Sequence, residues 1–448
     1  MQRKILPKIT IIFSFALFAI LFTPKVGAAQ NTDSTLTTAS LDNVIAYALE
    51  NQPAVKQALL DEEITKRVIR GKLADWYPQV DFGYNYQRNF DLPANVIGGN
   101  VIRFGVFNTS STQFTATQAI FNRDVMLAAS TASKVRVQAG QNTAKNKIET
   151  VVSVSKAFYD VLATSQQIKV AEESIVRLKR SLKDAQSRYA AGLSDKTDFK
   201  RATIQLGNAE ALLKSNQELY KYKEAYLKTL MGYPQEGTLP LQYDTLQMEN
   251  EIYIDTVQEL NYSAHIDYRI LYTQRELQNA NVKYANWAFL PSFSAYGAYI
   301  LNYQNDTFGE LYQQKYPNSY LGVRIAFPIF QGGKRIAKIK EQKLTRDRLD
   351  VSLTNLQNAL STEYTRALAS YKSNLTNFLT QRENVALATD VYNVIQLQYQ
   401  NGIRTYLDVT IAETDLRTTR INYYNALYQI LASKLDVERA LGQITTNY

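Results

Sequence analysis

Two stretches of this 448-residue chain run too far without a helix breaker to belong to a compact domain. Residues 122–189 contain no proline and one glycine, Gly140, and apolar residues recur at Ile148, Val151, Val152, Phe158, Leu162, Ile168, Ile175, Leu178 and Leu182, the spacing of one helix face. Residues 334–399 repeat the pattern with Leu349, Leu353, Leu356, Leu360, Tyr364, Leu368, Tyr371, Leu375 and Phe378. At the rise of an α-helix, each stretch predicts about 67 helical residues and a length of roughly 100 Å. Helices of that length must pack lengthwise, in a bundle or coiled coil.

The two long helices belong to two copies of one unit. Tyr189, Gly192 and Asp198 are spaced as Tyr399, Gly402 and Asp408 are, and a second glycine follows 40 residues after the first in both (Gly232, Gly442). Trp76 and Trp287 are 211 residues apart, Phe121 and Phe330 209, and Gly192 and Gly402 210. Each copy reads as helix, two strands, long helix, turn, helix, over about 41–232 and about 252–442. The copies form one architecture and not two independent domains.

The strands are predicted at 79–87, 112–121, 292–301 and 320–330, with loops at 88–111 and 302–319. Residues 79–87 alternate between an apolar face (Val80, Phe82, Tyr84, Tyr86) and a polar one (Asp81, Asn85, Gln87). In the last strand Leu321, Val323, Ile325, Phe327 and Ile329 share a face. Such strands approach the length that crosses a bilayer when tilted, and a membrane sheet must close because no edge can stay unpaired there. Four strands are too few, since the smallest barrels need about 8. Two copies of the chain supply enough strands for a filled barrel, and three leave room for a pore. Tyr84, Tyr86, Phe90, Tyr296, Tyr299, Tyr303 and Tyr320 lie on or beside the strands, as an interfacial aromatic girdle requires.

The first residues read as an export signal. Arg3, Lys4 and Lys8 precede an apolar run over 9–22, and Val26, Gly27 and Ala28 supply a small-residue cleavage site. Removal of 1–28 takes away four cations and lowers the formal charge from +9 to +5. Residues 29–40 are polar and are expected to be disordered. There is no cysteine and a single histidine, His265, which excludes disulfides, zinc–thiolate sites and a histidine cluster. His265 reads as a surface or helix-start residue. The positive charge is interspersed with Asp and Glu along helices, so it reads as solvated surface and not as a nucleic-acid footprint. No nucleophile–base set, metal spacing or phosphate loop is present, so neither an enzyme nor a resident cofactor is expected.

Asn51-Gln52-Pro53, the strand pairs ending in Ala119-Ile120-Phe121 and Pro328-Ile329-Phe330, the two Tyr-x-x-Gly turns, and the helix ends Leu230-Met231-Gly232 and Ala440-Leu441-Gly442 give a resemblance. The chain resembles the TolC-type outer membrane efflux proteins along nearly all of its mature length. The resemblance implies a mainly α fold with a membrane β-barrel: a homotrimer with a 12-stranded barrel continued by a periplasmic α-helical barrel. It implies an exit duct of a tripartite efflux pump, working with an inner-membrane transporter and a periplasmic adaptor protein. The loops 88–111 and 302–319 then face outside the cell.

Residue by residue, Tyr399 and Arg404 are similar to the family's periplasmic gating residues, with Thr197 and Asp198 as their partners in the first copy. Asp408 resembles an acidic residue ringing the pore constriction, but Ile411 stands where the family pattern has a second acid. Gly192, Leu193, Gly402 and Ile403 resemble the adaptor-docking turns. On residue grounds alone, Asp198 and Asp408 also suit the first turns of their helices, and both glycines suit helix ends. A type I secretion duct and a pore-less periplasmic coiled-coil scaffold remain the competing readings, the second opposed by the alternating strands.

Overall fold

The computed structural model describes residue 36 and residues 38–242 and 245–448, Leu246 by its backbone alone. The expected signal segment and most of the polar stretch 29–40 lie outside these residues.

Helices α1 (Leu41–Asn51) and α2 (Pro53–Ala74) meet at Gln52, whose side chain accepts from the Val55 N–H and caps α2. The helical run breaks at Gln52, and Pro53 opens the second helix, because a first-turn residue has no intrahelical N–H bond to lose. Strand β1 (Gln79–Arg88) follows, then the hairpin β2 (Ala94–Ile97) and β3 (Asn100–Arg103), then β4 (Asn108–Phe121). The long helix α3 (Arg123–Ala190) turns into α4 (Lys196–Met231). After the short α5 (Thr245–Asn250), α6 (Ile266–Asn286) leads to β5 (Ser292–Asn305) and β6 (Lys315–Ala326). The chain ends with α7 (Lys334–Gln400) and α8 (Tyr406–Leu441). Helices α3 and α7 have 68 and 67 residues, and α4 and α8 have 36 each.

Three strand expectations are corrected. The segment 88–111 is not simply a loop: Val96 and Ile97 pair with Val101 and Asn100 across Gly98-Gly99, both at positive φ (60° and 83°). Two such glycines make the tight turn whose twist matches a hairpin. Strand β6 ends at Ala326 and does not reach 330, since Pro328 has no N–H to donate and Gly332-Gly333 turn the chain at positive φ into α7. The strands also begin or extend beyond their expected limits at 108, 305 and 315, which shortens the loop between β5 and β6.

The sheet order is β1-β4-β5-β6, all antiparallel, so the two repeats meet at the β4–β5 pair and both outer edges are unpaired in the protomer. Register defines its faces. Val80, Phe82, Tyr84 and Tyr86 pair with Ala116, Phe114, Thr112 and Ser110, which pair with Gly297, Tyr299, Leu301 and Tyr303. Leu321, Val323 and Ile325 continue that face and are 87%, 64% and 64% exposed. The opposite face carries Gln79, Asp81, Asn85, Gln113, Thr115, Asn302 and Arg324. Tyr296 and Tyr320 lie on this polar face, where the Arg324 guanidinium sits 5.3 Å from the Tyr296 ring centre. They therefore do not belong to an apolar-face girdle. Tyr84, Tyr86, Tyr299 and Tyr303 do, joined by Tyr312 and Phe308 from the β5–β6 loop; the Tyr84 and Tyr312 hydroxyls are 2.7 Å apart.

Below the sheet, α4 folds back along α3 and α8 along α7, and α3 also packs against α8. The main core lies midway, where Val44, Ile45, Phe158, Leu162, Tyr371, Phe378, Leu427 and Ile430 are buried together. The segment joining the repeats is fastened there: the Tyr371 hydroxyl donates to the Ile252 carbonyl (2.9 Å) and that of Tyr364 to the Gln258 carbonyl (2.8 Å). Among the described residues no helix is long and apolar enough to cross a membrane.

Helix ends from the two ends of each repeat abut here. Gly232 closes α4 at φ 68°, and a Cβ on it would stand 2.6 Å from the Asn51 carbonyl oxygen. Gly442 closes α8 at φ 71° against the Ala264 and His265 backbone. His265 caps α6 by accepting the Asp267 N–H; it starts a helix but is buried, and desolvation lowers its pKa. Gly232→Ala is expected to lower the unfolding free energy by more than about 2 kcal/mol, strain and clash acting together. Gly192→Ala, with the same φ sign but open space around it, is expected to cost about 1 kcal/mol. Equal melting temperatures for the two variants would refute the close-approach argument.

Candidate functional site

At the ends of the two long helices, farthest along the chain from the sheet, the repeats form matched turns. The Gly192 N–H donates to the Tyr189 carbonyl (3.0 Å) and Leu193 N–H to Arg188 (2.9 Å); Gly402 and Ile403 repeat this with Tyr399 (3.0 Å) and Gln398 (2.9 Å). Gly192 (φ 71°) and Gly402 (φ 77°) supply the left-handed conformation that ends a helix. Leu193 and Ile403 project from these turns 76% and 72% exposed, and among the described residues nothing lies within 4 Å of a Cβ placed on either glycine. The four proposed docking residues thus form two open apolar knobs.

The returning helices are capped differently. Asp195 caps α4, accepting the Thr197 N–H and hydroxyl at 2.8 Å each, which hold its carboxyl below the usual range. Thr405 caps α8 in a reciprocal box: Asp408 accepts the Thr405 N–H (3.0 Å) and hydroxyl (2.9 Å) and donates its own N–H to Thr405 Oγ1 (3.4 Å). The backbone bond from Thr405 is the main cause lowering the Asp408 pKa. Asp408 therefore has a helix-start role in the protomer, as the local reading of the first turn expects. Ile411 is half exposed.

The four gate candidates are not joined within the protomer. Arg404 turns back on its own loop and donates to Gln398 Oε1 (3.2 Å), while Thr197 serves Asp195. Tyr399 is 5% exposed and packs with Tyr406, Val409, Ala185 and Ala202. Burial raises its pKa; Arg188 opposes that and the negative charge of Asp198 adds to it. Burial pushes Tyr406 up to about 12.

At the tip, the hydrogen bonds across the repeats come from Arg188, which sequence reasoning missed. Its guanidinium lies 4.7 Å from the Tyr399 ring centre and donates to the carbonyls of Tyr399 (3.3 Å) and Gln400 (3.1 Å). Helix α7 has no basic residue in its last turn, so Arg188 brings from α3 the cation that the carbonyl end of α7 lacks. That missing cation was the available signal. Farther up, Glu413 of α8 is 3% exposed, accepting from Ser174 Oγ (2.5 Å) and Arg177 Nη2 (3.3 Å) of α3. No spacing in the sequence links those three residues.

An open sheet with one apolar and one polar face, standing on paired helices of this length, defines the protomer of a membrane duct reaching far from the bilayer. The sequence pattern of outer membrane efflux proteins matches residues 44–233 and 272–443, and the chain belongs to that family. It is 23% identical to outer membrane protein TolC of Vibrio cholerae over 437 residues, covering 94% of each chain. It is also 23% identical over 416 residues to the cation efflux system protein CusC of Escherichia coli K12 (89% of this chain, 85% of the relative). A crystal structure of CusC shares the fold, with TM-score 0.74, 19% identity, and 90% and 91% of the two chains covered. The protein is thus a bacterial outer membrane efflux channel and not an enzyme.

Proposed function

We propose that three copies of the chain close their sheets edge to edge and pass substrates from an inner-membrane transporter and a periplasmic adaptor to the outside. The observation that carries this reading is the protomer's sheet: four strands, both edges unpaired, apolar on one face and polar on the other. Edges of this kind cannot stay open in a bilayer, and four strands from each of three copies give twelve, enough for a polar lumen. The segments around β2–β3 and between β5 and β6 then lie outside the cell, and the helical turns at the periplasmic tip.

The knobs at Gly192, Leu193, Gly402 and Ile403 are the surface offered to the adaptor. Asp408 lines the constriction, with Ile411 leaving it less acidic than a two-acid ring, and its capping bonds fix where each carboxylate points. The gate couples the α3–α4 pair to the α7–α8 pair. Arg188 holds that contact inside the protomer, and Arg404, Thr197 and Asp198 are placed beside it for contacts between subunits.

Mass determination and planar-bilayer recording on one detergent preparation test the reading. A trimer with discrete openings, from wild type or from a tip variant that releases the gate, is the expected result. A monomer or dimer silent in both forms would overturn the duct. In the same preparation Gly402→Trp is expected to keep trimer and conductance while cells lose export; loss of the trimer itself would reduce Gly402 to a helix terminator.

A further inference from the structure

We propose that the basic cavity where α3, α6 and α7 meet the sheet binds the phosphate of a glycerophospholipid in the periplasmic leaflet. The cavity measures about 610 Å³ and is lined by Arg123, Lys334, Arg335 and Lys338 together with Tyr284 and Leu127. Among the described residues no Asp or Glu lines it. Among the described residues, Arg123, Lys334 and Arg335 form no ion pair with a carboxylate, and the nearby Asp124 carboxylate is taken by the Tyr284 hydroxyl. Lys338 pairs with Glu341 on the exposed side of α7. Arg123 is held over the Tyr284 ring at 4.9 Å and Arg335 over Phe289 at 4.6 Å, so both guanidiniums are fixed in place without being neutralised.

Its position sets the ligand. A second cavity of about 310 Å³, which Asp124 also lines, shares Arg123, Ala288 and Gln331 with it and runs on to Phe121, Ser292 and Ala326, where β4 and β6 end and β5 begins. The cations therefore sit one step beyond the membrane-spanning strands, at headgroup depth on the helix side. Between strand end and helix start, Phe327, Ile329 and Phe330 are 57%, 85% and 88% exposed, an apolar seat for acyl chains beside the phosphate site. The repeats differ here in a way that fits an anion. Helix α3 starts with an Asn122 side-chain cap and Asp124, whereas α7 starts from Gly333 with no side-chain cap and no acid in its first turn, and carries Lys334 and Arg335. Cations at a helix start are unfavourable unless an anion offsets them.

The site rests on the orientation proposed above. The test uses the full chain, purified as its native oligomer, in nanodiscs of phosphatidylcholine with graded dioleoylphosphatidylglycerol, and counts retained phosphatidylglycerol by native mass spectrometry. The triple variant Arg123→Gln, Lys334→Gln, Lys338→Gln is expected to weaken phosphatidylglycerol retention at least about tenfold. Arg335 is left intact because it also donates to the Ile329 and Ala288 carbonyls. A control removing three cations from the exposed surface of α4 (Lys200→Gln, Arg201→Gln, Lys214→Gln) is expected to change nothing. Wild-type retention by the triple variant, or equal loss in the control, overturns the site. Displacement of the lipid by excess inorganic phosphate overturns the lipid as occupant in favour of a free anion. If the triple variant fails to assemble, Lys334→Gln alone, exposed and without an ion-pair partner, carries the same comparison. Conductance recorded on the same preparation separates the two readings: a conducting protein indifferent to phosphatidylglycerol overturns this site alone.

Discussion

Arg188→Ala is expected to shift the reconstituted channel toward its open form and to raise mean single-channel conductance, more than Arg404→Ala does. The guanidinium makes two charge-assisted bonds to the last carbonyls of α7 and stacks on Tyr399, all across the boundary between the repeats. Together such contacts contribute about 2 kcal/mol at a half-buried site. Their loss moves a closed–open ratio by about thirtyfold. Arg404 bonds only to Gln398 of its own turn, so its removal inside the protomer breaks no tie between the repeats. Tyr399→Phe sharpens the comparison. The Tyr399 hydroxyl is buried without a partner among the described residues, so removing it costs little unless a neighbouring subunit supplies one. A conductance rise with Arg404→Ala or Tyr399→Phe, and none with Arg188→Ala, would place the gate between subunits and sink the assignment to Arg188. Lys in place of Arg188 retains the charge but not the flat stacking surface or the paired donors, and is expected to be intermediate.

What the sequence disclosed was what repeats or alternates. Uninterrupted helical periodicity placed α3 and α7 to within a residue or two at each end, and the matched glycines placed both tip turns. Alternation gave β1 and the sense of its faces. Errors arose where periodicity is silent. The hairpin β2–β3 was signalled by Gly98-Gly99 between Val96-Ile97 and Val101-Ile102, but three glycines and a proline nearby read more simply as a loop. In β6 the apolar alternation continues through Phe327 and Ile329 after strand pairing has stopped, because those side chains are exposed for reasons other than pairing. Tyr296 and Tyr320 lie on the strands as expected, but aromatic type does not say which face a strand residue takes, and register puts both on the polar one. At the tip, the roles carried over from the family lie at the turns, whereas the side chain joining the repeats in the protomer, Arg188, comes one residue before the motif. Arg177 and Glu413 are 236 residues apart, and only packing of α3 on α8 brings them together.

Glu413→Ala is expected to destabilise the protein by about 3 kcal/mol, more than any surface substitution. Glu413 is almost fully buried, and it faces Ser174 and an Arg177 side chain that is 20% exposed. Removing the carboxylate leaves the largely desolvated Arg177 charge, held under the Tyr392 ring at 5.7 Å, with only the more distant and half-exposed Glu173 carboxylate (3.9 Å), and leaves Ser174 without its acceptor. Breaking one side of such a pair costs about 3–5 kcal/mol, and the residual exposure of Arg177 favours the lower end. The pair itself is worth far less than that cost. Glu413 Oε2 and Arg177 Nε are buried with no bonding partner among the described residues, so part of the desolvation is uncompensated. The double variant Arg177→Met, Glu413→Leu is therefore expected to melt within a few degrees of the wild type or above it. The double-mutant cycle on unfolding free energy in detergent reads the coupling directly. A neutral Glu413→Ala, or a double variant less stable than either single one, would overturn this account of the α3–α8 contact. Conductance gives an independent check. Glu413 lies about 1.4 turns of α8 beyond Asp408 and faces α3, so the double variant is expected to keep wild-type openings. If it does, the buried pair sets how firmly α8 lies on α3, and the tip alone sets whether the duct is open.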